Sequence, residues 1–161
     1  CEFCLRHRPS LCVHSVEIGM KSYQGAFAEY KAVAAKDLLL VPDGLTAREA
    51  ALCEPLAVAL HGISRSGVTP DMRVMVNGAG PIGLLIIAVL AARAQREIVA
   101  CEPFARRREL ALRVGAASAL SPHELSIPDI PIQQVEQPFD LVFECSGKAA
   151  ALEAALGNLA K

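Results

Sequence analysis

The sequence has no excess of either charge. Lys and Arg number 16 and Asp and Glu 17, a net charge of -1. A balance of that kind offers no electrostatic footprint for nucleic acid or for an anionic membrane. A long apolar run is also missing, despite a mean hydropathy of +0.35. The longest, Ile82 to Ala92, is ended by Arg93 and falls well short of the ~20 residues that a membrane helix needs. No basic segment leading into an apolar one marks a secretory leader. Internal repeats and low-complexity tracts are absent. Charged residues make up only 20% against 53% hydrophobic, which excludes general disorder and leaves enough for a packed core. The 161 residues suit one ordinary domain or pieces of two. An initiating Met is lacking, and Leu152 to Lys161 continues as an unfinished helical pattern, so the expectation is a fragment cut at both ends.

The six cysteines are unevenly spread. Three crowd the start as Cys1-x2-Cys4-x7-Cys12, whereas a disulfide framework usually distributes its cysteines through a small chain. C-x2-C lets two thiolates reach one tetrahedral zinc, so the trio reads as a metal lobe. Zinc in a structural site takes four ligands, and the fourth is His7, His14 or a residue ahead of Cys1. Cys53, Cys101 and Cys145 stand in apolar contexts and read as small buried residues.

Residues 1 to 23 carry little periodicity and are expected to be rich in loops. Gly25 to Val33 alternates as a strand does, and Leu38 to Val41 is a second short one. Thr46-x-x-Glu49 is a capping box opening a helix, or a helix pair broken near Pro55, that stops at Gly67. The domain boundary is expected inside this stretch. Beyond it, Arg73 to Val76 is a strand, followed by a glycine-rich turn and an apolar helix to about Ala94. Ile98 to Cys101, Ala117 to Leu120 and Phe139 to Cys145 are further strands. Ala105 to Val114 and an Ala-rich segment after Gly147 are helices. Ser121 to Pro138, with four prolines, is irregular. Strands alternating with helices imply an α/β fold with a parallel sheet.

Gly78-x-Gly80-x-x-Gly83 follows a strand and opens a helix. In that context Gly78 permits the tight turn, Gly80 admits a pyrophosphate close to the backbone, and Gly83 lets helix and strand approach. The helix N-terminus turns free N–H groups and the positive end of its dipole toward the phosphates. Glu102, at the end of the second strand, stands where a carboxylate accepts from an adenosine ribose. It welcomes a 2′-hydroxyl and repels a 2′-phosphate, favouring NAD over NADP, although Arg106, Arg107 and Arg108 follow it closely.

The cysteine lobe, then Glu54-Pro55-Leu56-Ala57-Val58-Ala59-Leu60-His61, then GAGPIG occur in the order that resembles the zinc-dependent medium-chain alcohol dehydrogenases, most of all their sorbitol, butanediol and threonine branch. The resemblance covers nearly the whole chain. It implies the first half of a doubly wound Rossmann sheet over 51–161, preceded by the end of a GroES-like, mainly-β catalytic domain over 1–50. Cys1, Cys4 and Cys12 match the second to fourth cysteines of the family's C-x2-C-x2-C-x7-C structural zinc lobe. Glu54 matches a glutamate at the catalytic zinc, and Cys53 beside it lies near a zinc-binding Cys of other members. Gly78, Gly80, Ile82 and Gly83 match the pyrophosphate turn, Glu102 the ribose acid and Arg107 a basic residue at the adenosine ribose. Ser146-Gly147 matches the loop beside the adenine and nicotinamide side of the crevice. Two positions depart from the pattern. His7 stands where the lobe commonly has Gly, which bears on the turn and not the ligands. Ala94 replaces the Gly that closes the first helix, so Ala94 to Glu97 is expected to be strained.

The implied activity is reversible oxidation of a secondary alcohol or polyol to a ketone, with hydride passing to the nicotinamide at a catalytic zinc. The implied partners are a small alcohol and further copies of the protein, in the cytoplasm, with neither nucleic acid nor membrane. The family's remaining catalytic-zinc ligands are expected ahead of Cys1, so this chain alone is expected to be inactive. A non-catalytic NAD-binding module needs neither the cysteine lobe nor Glu54, and a zinc-free reductase generally lacks both.

Overall fold

The computed structural model describes residues 1–16, 18–20, 24–126, 128, 130 and 133–160. The chain divides into two compact units, Cys1–Pro42 and Asp43–Lys161.

Among its described residues the first unit holds one short helix, α1 (Glu2–Leu5), and 3-10 turns at Pro9–Leu11 and Ala35–Asp37. The strands expected over Gly25 to Val33 and Leu38 to Val41 are not formed. A strand exists only by pairing, and no partner strand faces these segments among the described residues. Their apolar side chains accordingly lie open, with Leu39 and Leu40 at 95% and 97% exposure.

In the second unit the Thr46 capping box is present. Thr46 Oγ1 accepts from Glu49 N at 3.2 Å, and Thr46 N donates to the Glu49 carboxylate at 2.8 Å. It opens α2 (Ala47–Ala50), and α3 (Cys53–Ser66) follows. The break falls at Ala51 and Leu52, because Pro55 sits in the first turn of α3, where a missing N–H costs nothing.

The rest is a repeating strand-and-helix unit. β1 (Arg73–Asn77) leads to α4 (Pro81–Ala92), β2 (Glu97–Cys101), α5 (Ala105–Arg113), β3 (Ser118–Leu120), β4 (Leu141–Glu144) and α6 (Ala149–Gly157). The four strands form one parallel sheet in the order β3-β2-β1-β4, with Met75 level with Val99 on one side and Val142 on the other. β1 is buried on both faces, which is why Val74, Met75 and Val76 run apolar without alternation. Its residues still divide by the two-residue period of a strand. Val74 and Val76 join Ile98, Ala59, Ile63, Ile87 and Leu90 in one core. Met75 joins Val99, Cys101, Phe139 and Ala155 in the other. α6 ends at Gly157 rather than running on, and Leu159 forms an isolated parallel bridge to Phe139. Ser121 to Pro138 contains a 3-10 turn at Pro122–Glu124, and the expectation for 127, 129, 131 and 132 lies outside the described residues, as does that for 161. No helix among the described residues is long and apolar enough to cross a membrane.

Three helices end in the same hydrogen-bonded turn. After α4, Ala94 N donates to Ala91 O at 3.0 Å and Gln95 N to Leu90 O at 3.1 Å. After α1, the pairs are His7 N to Cys4 O and Arg8 N to Phe3 O; after α5 they are Gly115 N to Leu112 O and Ala116 N to Ala111 O. This is the Schellman pattern, which places its penultimate residue in the left-handed region. Gly115 fills that place after α5, but His7 and Ala94 adopt φ of 56° and 58° with a side chain attached. The expected strain at Ala94 is therefore real, and His7 shares it. Ala94→Gly removes roughly 1–2 kcal/mol of left-handed strain and adds about 0.5–1 kcal/mol of backbone entropy. The variant should unfold at a slightly higher urea concentration than the parent; an unchanged or lower midpoint would show that Ala94 carries no net strain.

Candidate functional site

The thiols of the first unit converge. α1 places Cys1 and Cys4 one turn apart, and the turn at Pro9–Leu11 returns Cys12 to them. Cys1 Sγ lies 3.7 Å from Cys4 Sγ and 3.8 Å from Cys12 Sγ. Zn–S bonds of about 2.3 Å at tetrahedral angles set thiolates about 3.8 Å apart, so the trio fits three corners of a zinc site. His14 N donates to Cys12 Sγ at 3.4 Å. That donation, followed by the hydrogen bond from Cys4, pulls the Cys12 thiol below its ordinary range, while the Cys12 partner raises Cys4. Neither His7 nor His14 joins the cluster, the one such group among the described residues.

A second feature lies at the C-terminal edge of the sheet. A cavity of about 400 Å³ is lined by Gly78, Gly80, Glu102, Arg107 and Ser146, with Asn77, Cys101 and Cys145 also in its wall. Gly80 caps α4 and Pro81 starts it, with the first intrahelical bond from Leu84 N to Gly80 O at 2.9 Å. A Cβ on Gly80 would meet nothing within 4 Å and would only fill open space beside the turn. A Cβ on Gly83 would lie 1.9 Å from Gly78 O, so here the helix presses on the turn itself. Ile82 does not line the cavity; its side chain packs against the core beneath.

Glu102 is 3% exposed and is held by backbone donors, Ala79 N at 2.9 Å and Phe104 N at 3.1 Å. Two such donors compensate a buried carboxylate and join the glycine turn to the loop after β2. The Arg107 guanidinium stands 3.9 Å from Glu102 and 5.3 Å from the Phe104 ring centre. Arg108 instead braces the loop, donating to the carbonyls of Glu102 and Pro103 at 2.8 and 2.7 Å. Burial first, then the Glu102 charge, pushes the Cys101 thiol up to about 11; burial, then Glu144, does the same for Cys145.

Gly78, Gly80, Glu102 and Arg107 thus come together around one cavity. Glu54 does not join them: it is exposed in the first turn of α3 and lines neither this cavity nor a metal-type cluster among the described residues. Cys53 beside it is exposed rather than buried, because the first turn of α3 points it away from the core. Sequence reasoning missed Asn77 and Glu144. Glu144 Oε1 accepts from Ser146 N at 2.7 Å, Ser146 Oγ at 2.5 Å and Gly147 N at 3.1 Å, and so fixes the loop that closes the cavity. The available signal was a polar residue directly after an apolar run in each of two strands, Val74 to Val76 in β1 and Leu141 to Phe143 in β4.

The profile of the family described as zinc-binding dehydrogenase matches residues 81–161. The chain is 33% identical to (R,R)-butanediol dehydrogenase of Saccharomyces cerevisiae, over 99% of this chain and 42% of that one. It is 29% identical to sorbitol dehydrogenase of Bacillus subtilis, over 99% and 45%. Among solved structures, the NADP-bound crystal structure of a Sinorhizobium meliloti protein assigned as a zinc-binding dehydrogenase aligns with a TM-score of 0.83 and 30% identity, over 99% and 47%. The chain spans less than half the length of these curated relatives.

The thiols give a direct check. With values near 11, Cys101 and Cys145 remain protonated at pH 8, and only the thiolate is alkylated. Iodoacetamide at pH 8 followed by peptide mapping should modify exposed Cys53 readily and these two slowly. Modification of Cys101 as fast as Cys53 in the folded protein would show the crevice wall to be open.

Proposed function

The chain belongs to the zinc-binding dehydrogenase family, and from that premise we propose that the whole protein moves hydride between a secondary alcohol or polyol and a nicotinamide dinucleotide. The observation that carries this reading is the cavity at the sheet edge, where a glycine turn, a helix N-terminus and a buried acid converge. Gly78, Gly80 and Gly83 shape the turn, and the N–H groups opening α4, that of Ile82 among them, face a pyrophosphate. Glu102 uses one lone pair on each oxygen for the backbone and keeps others for ribose hydroxyls. Its charge disfavours a 2′-phosphate, so NAD is the preferred cofactor, with Arg107 against the ribose. Cys1, Cys4 and Cys12 hold a structural zinc together with one further thiolate. Glu54 serves a second, catalytic zinc, its exposed carboxylate available to partners outside residues 1–161.

Bound zinc supplies a Lewis acid at the alcohol oxygen, and bound nicotinamide supplies the hydride acceptor. The residues of this chain position the dinucleotide and keep its ribose oriented. Residues 1–50 close the catalytic domain and 51–161 open the nucleotide-binding one. The homologous polyol dehydrogenases make sorbitol, butanediol and threonine the first alcohols to test. The convergent thiols suit a reducing compartment such as the cytoplasm, and a homo-oligomer is the expected assembly.

The test is made on the full-length protein. Metal analysis should find two zinc per chain, and alcohol oxidation should proceed faster with NAD than with NADP. Gly80→Ala should leave the melting temperature nearly unchanged, since its Cβ meets nothing, yet weaken NAD binding by about tenfold or more. Metal-free protein with no turnover on any of these alcohols would overturn the proposal, and unimpaired NAD binding by Gly80→Ala would remove the cavity from it.

A further inference from the structure

Asn77, the last residue of β1, is 3% exposed and lines the cavity. Both of its amide hydrogens are committed, since Nδ2 donates to Glu144 Oε2 at 2.7 Å and to Ala151 O at 2.8 Å. Those partners can only accept, so the amide cannot be turned over without setting Oδ1 against a carboxylate and a carbonyl. Glu144 is itself pinned by Ser146 and Gly147. The orientation of the Asn77 side chain is therefore dictated by Glu144 and Ala151. Oδ1 accepts no hydrogen bond among the described residues. Every fully buried side-chain nitrogen or oxygen among them has a partner, so Oδ1 is not sealed in and faces the space that Asn77 lines.

Cys101, Leu125, Cys145, Ala151 and Ala154 give the cavity its apolar wall, beside the polar Glu102, Arg107, Ser146 and Lys148. That apolar wall takes the faces of a flat ring, and the fixed acceptor of Asn77 selects a ring that carries a donor. The ribose already has Glu102 on the same cavity. Resting on the dinucleotide reading above, we propose that Asn77 Oδ1 accepts a hydrogen bond from the exocyclic 6-amino group of the adenine ring and so selects adenine over purines bearing oxygen or hydrogen at that position. A nearly buried acceptor left without its donor on binding costs free energy, which makes this a specificity element and not only a contact.

Calorimetric titration of the full-length protein with NAD, nicotinamide hypoxanthine dinucleotide and nicotinamide purine dinucleotide tests it. The unmodified protein should bind NAD about tenfold or more tightly than either analogue. In Asn77→Leu that preference should vanish, with the three ligands binding alike. Equal binding of all three by the unmodified protein would overturn the base-reading role and leave the dinucleotide site standing. A preference that survives in folded Asn77→Leu would overturn it too, by assigning the selection to another group. If no dinucleotide binds, the site itself is refuted together with this inference. Asn77→Leu also removes the donor that Asn77 supplies to Glu144 Oε2 and Ala151 O; if it fails to fold, the ratio in the unmodified protein decides.

Discussion

Most of the second unit depends on one close approach of backbone to backbone. The chain leaves β1 at Asn77, turns, and re-enters as α4 with Gly83 lying against Gly78 O, at a distance where even a methyl group would sit 1.9 Å from the oxygen. Gly78, at φ 100°, is in turn pressed against the chain at Cys145 and Ser146, with 2.8 Å from a would-be Cβ to Ser146 N. The turn is thus clamped between α4 and the loop after β4. That clamp directs the free N–H groups of α4 and the ends of β1, β2 and β4 at one volume, and the cavity is the space left between them.

Two carboxylates behind that volume keep its walls in place. Glu102 ties the glycine turn to the loop after β2, and Glu144 ties the end of β1 to the loop after β4. Neither relies on a cation as its main partner. Arg107 approaches Glu102 only at 3.9 Å and is about half exposed, so solvent screens that pair. Backbone N–H groups do the compensating instead, and they are already fixed by the fold, which lowers the cost of burying the charge. The arrangement also carries a functional consequence. A carboxylate held by two backbone donors cannot swing out of its place in the cavity wall.

The alternation of strands and helices from Arg73 to α6 was legible because each element buries its own apolar set, Val74 to Val76 in β1 and Ile86, Ile87 and Leu90 in α4. The glycine turn and Glu102 were legible because their spacing matches a known chemistry. The segment from Gly25 to Val41 was not, since an alternating pattern describes a face and not a partner, and no strand pairs with it among the described residues. Cys53 was misread because an apolar neighbourhood in sequence says nothing of which way the first turn of a helix faces. Asn77 escaped because it ends β1 just before the glycine turn, where the motif speaks only for the backbone. Its side chain acquires a role only when Glu144 and Ala151, more than sixty residues away, close on it.

The three Schellman turns show how far the sequence obeys sterics and where it departs. Gly115 has φ 120°, outside the left-handed well that side chains can enter, and a Cβ there would lie 2.4 Å from the Cβ of Ala91. No other residue type serves that position without moving α4. Ala94, at 58°, lies within the well, where the cost is of the order of 1 kcal/mol and not prohibitive. The next residue offsets it. Gln95 Nε2 donates to Met72 O at 2.7 Å and Thr69 O at 3.0 Å, and Arg96 N donates to Pro70 O at 3.0 Å, tying the turn to the segment that feeds β1. A turn fastened from outside can hold an alanine where a glycine is usual, so the departure from the family pattern is absorbed before it reaches β1 or the cavity at its far end.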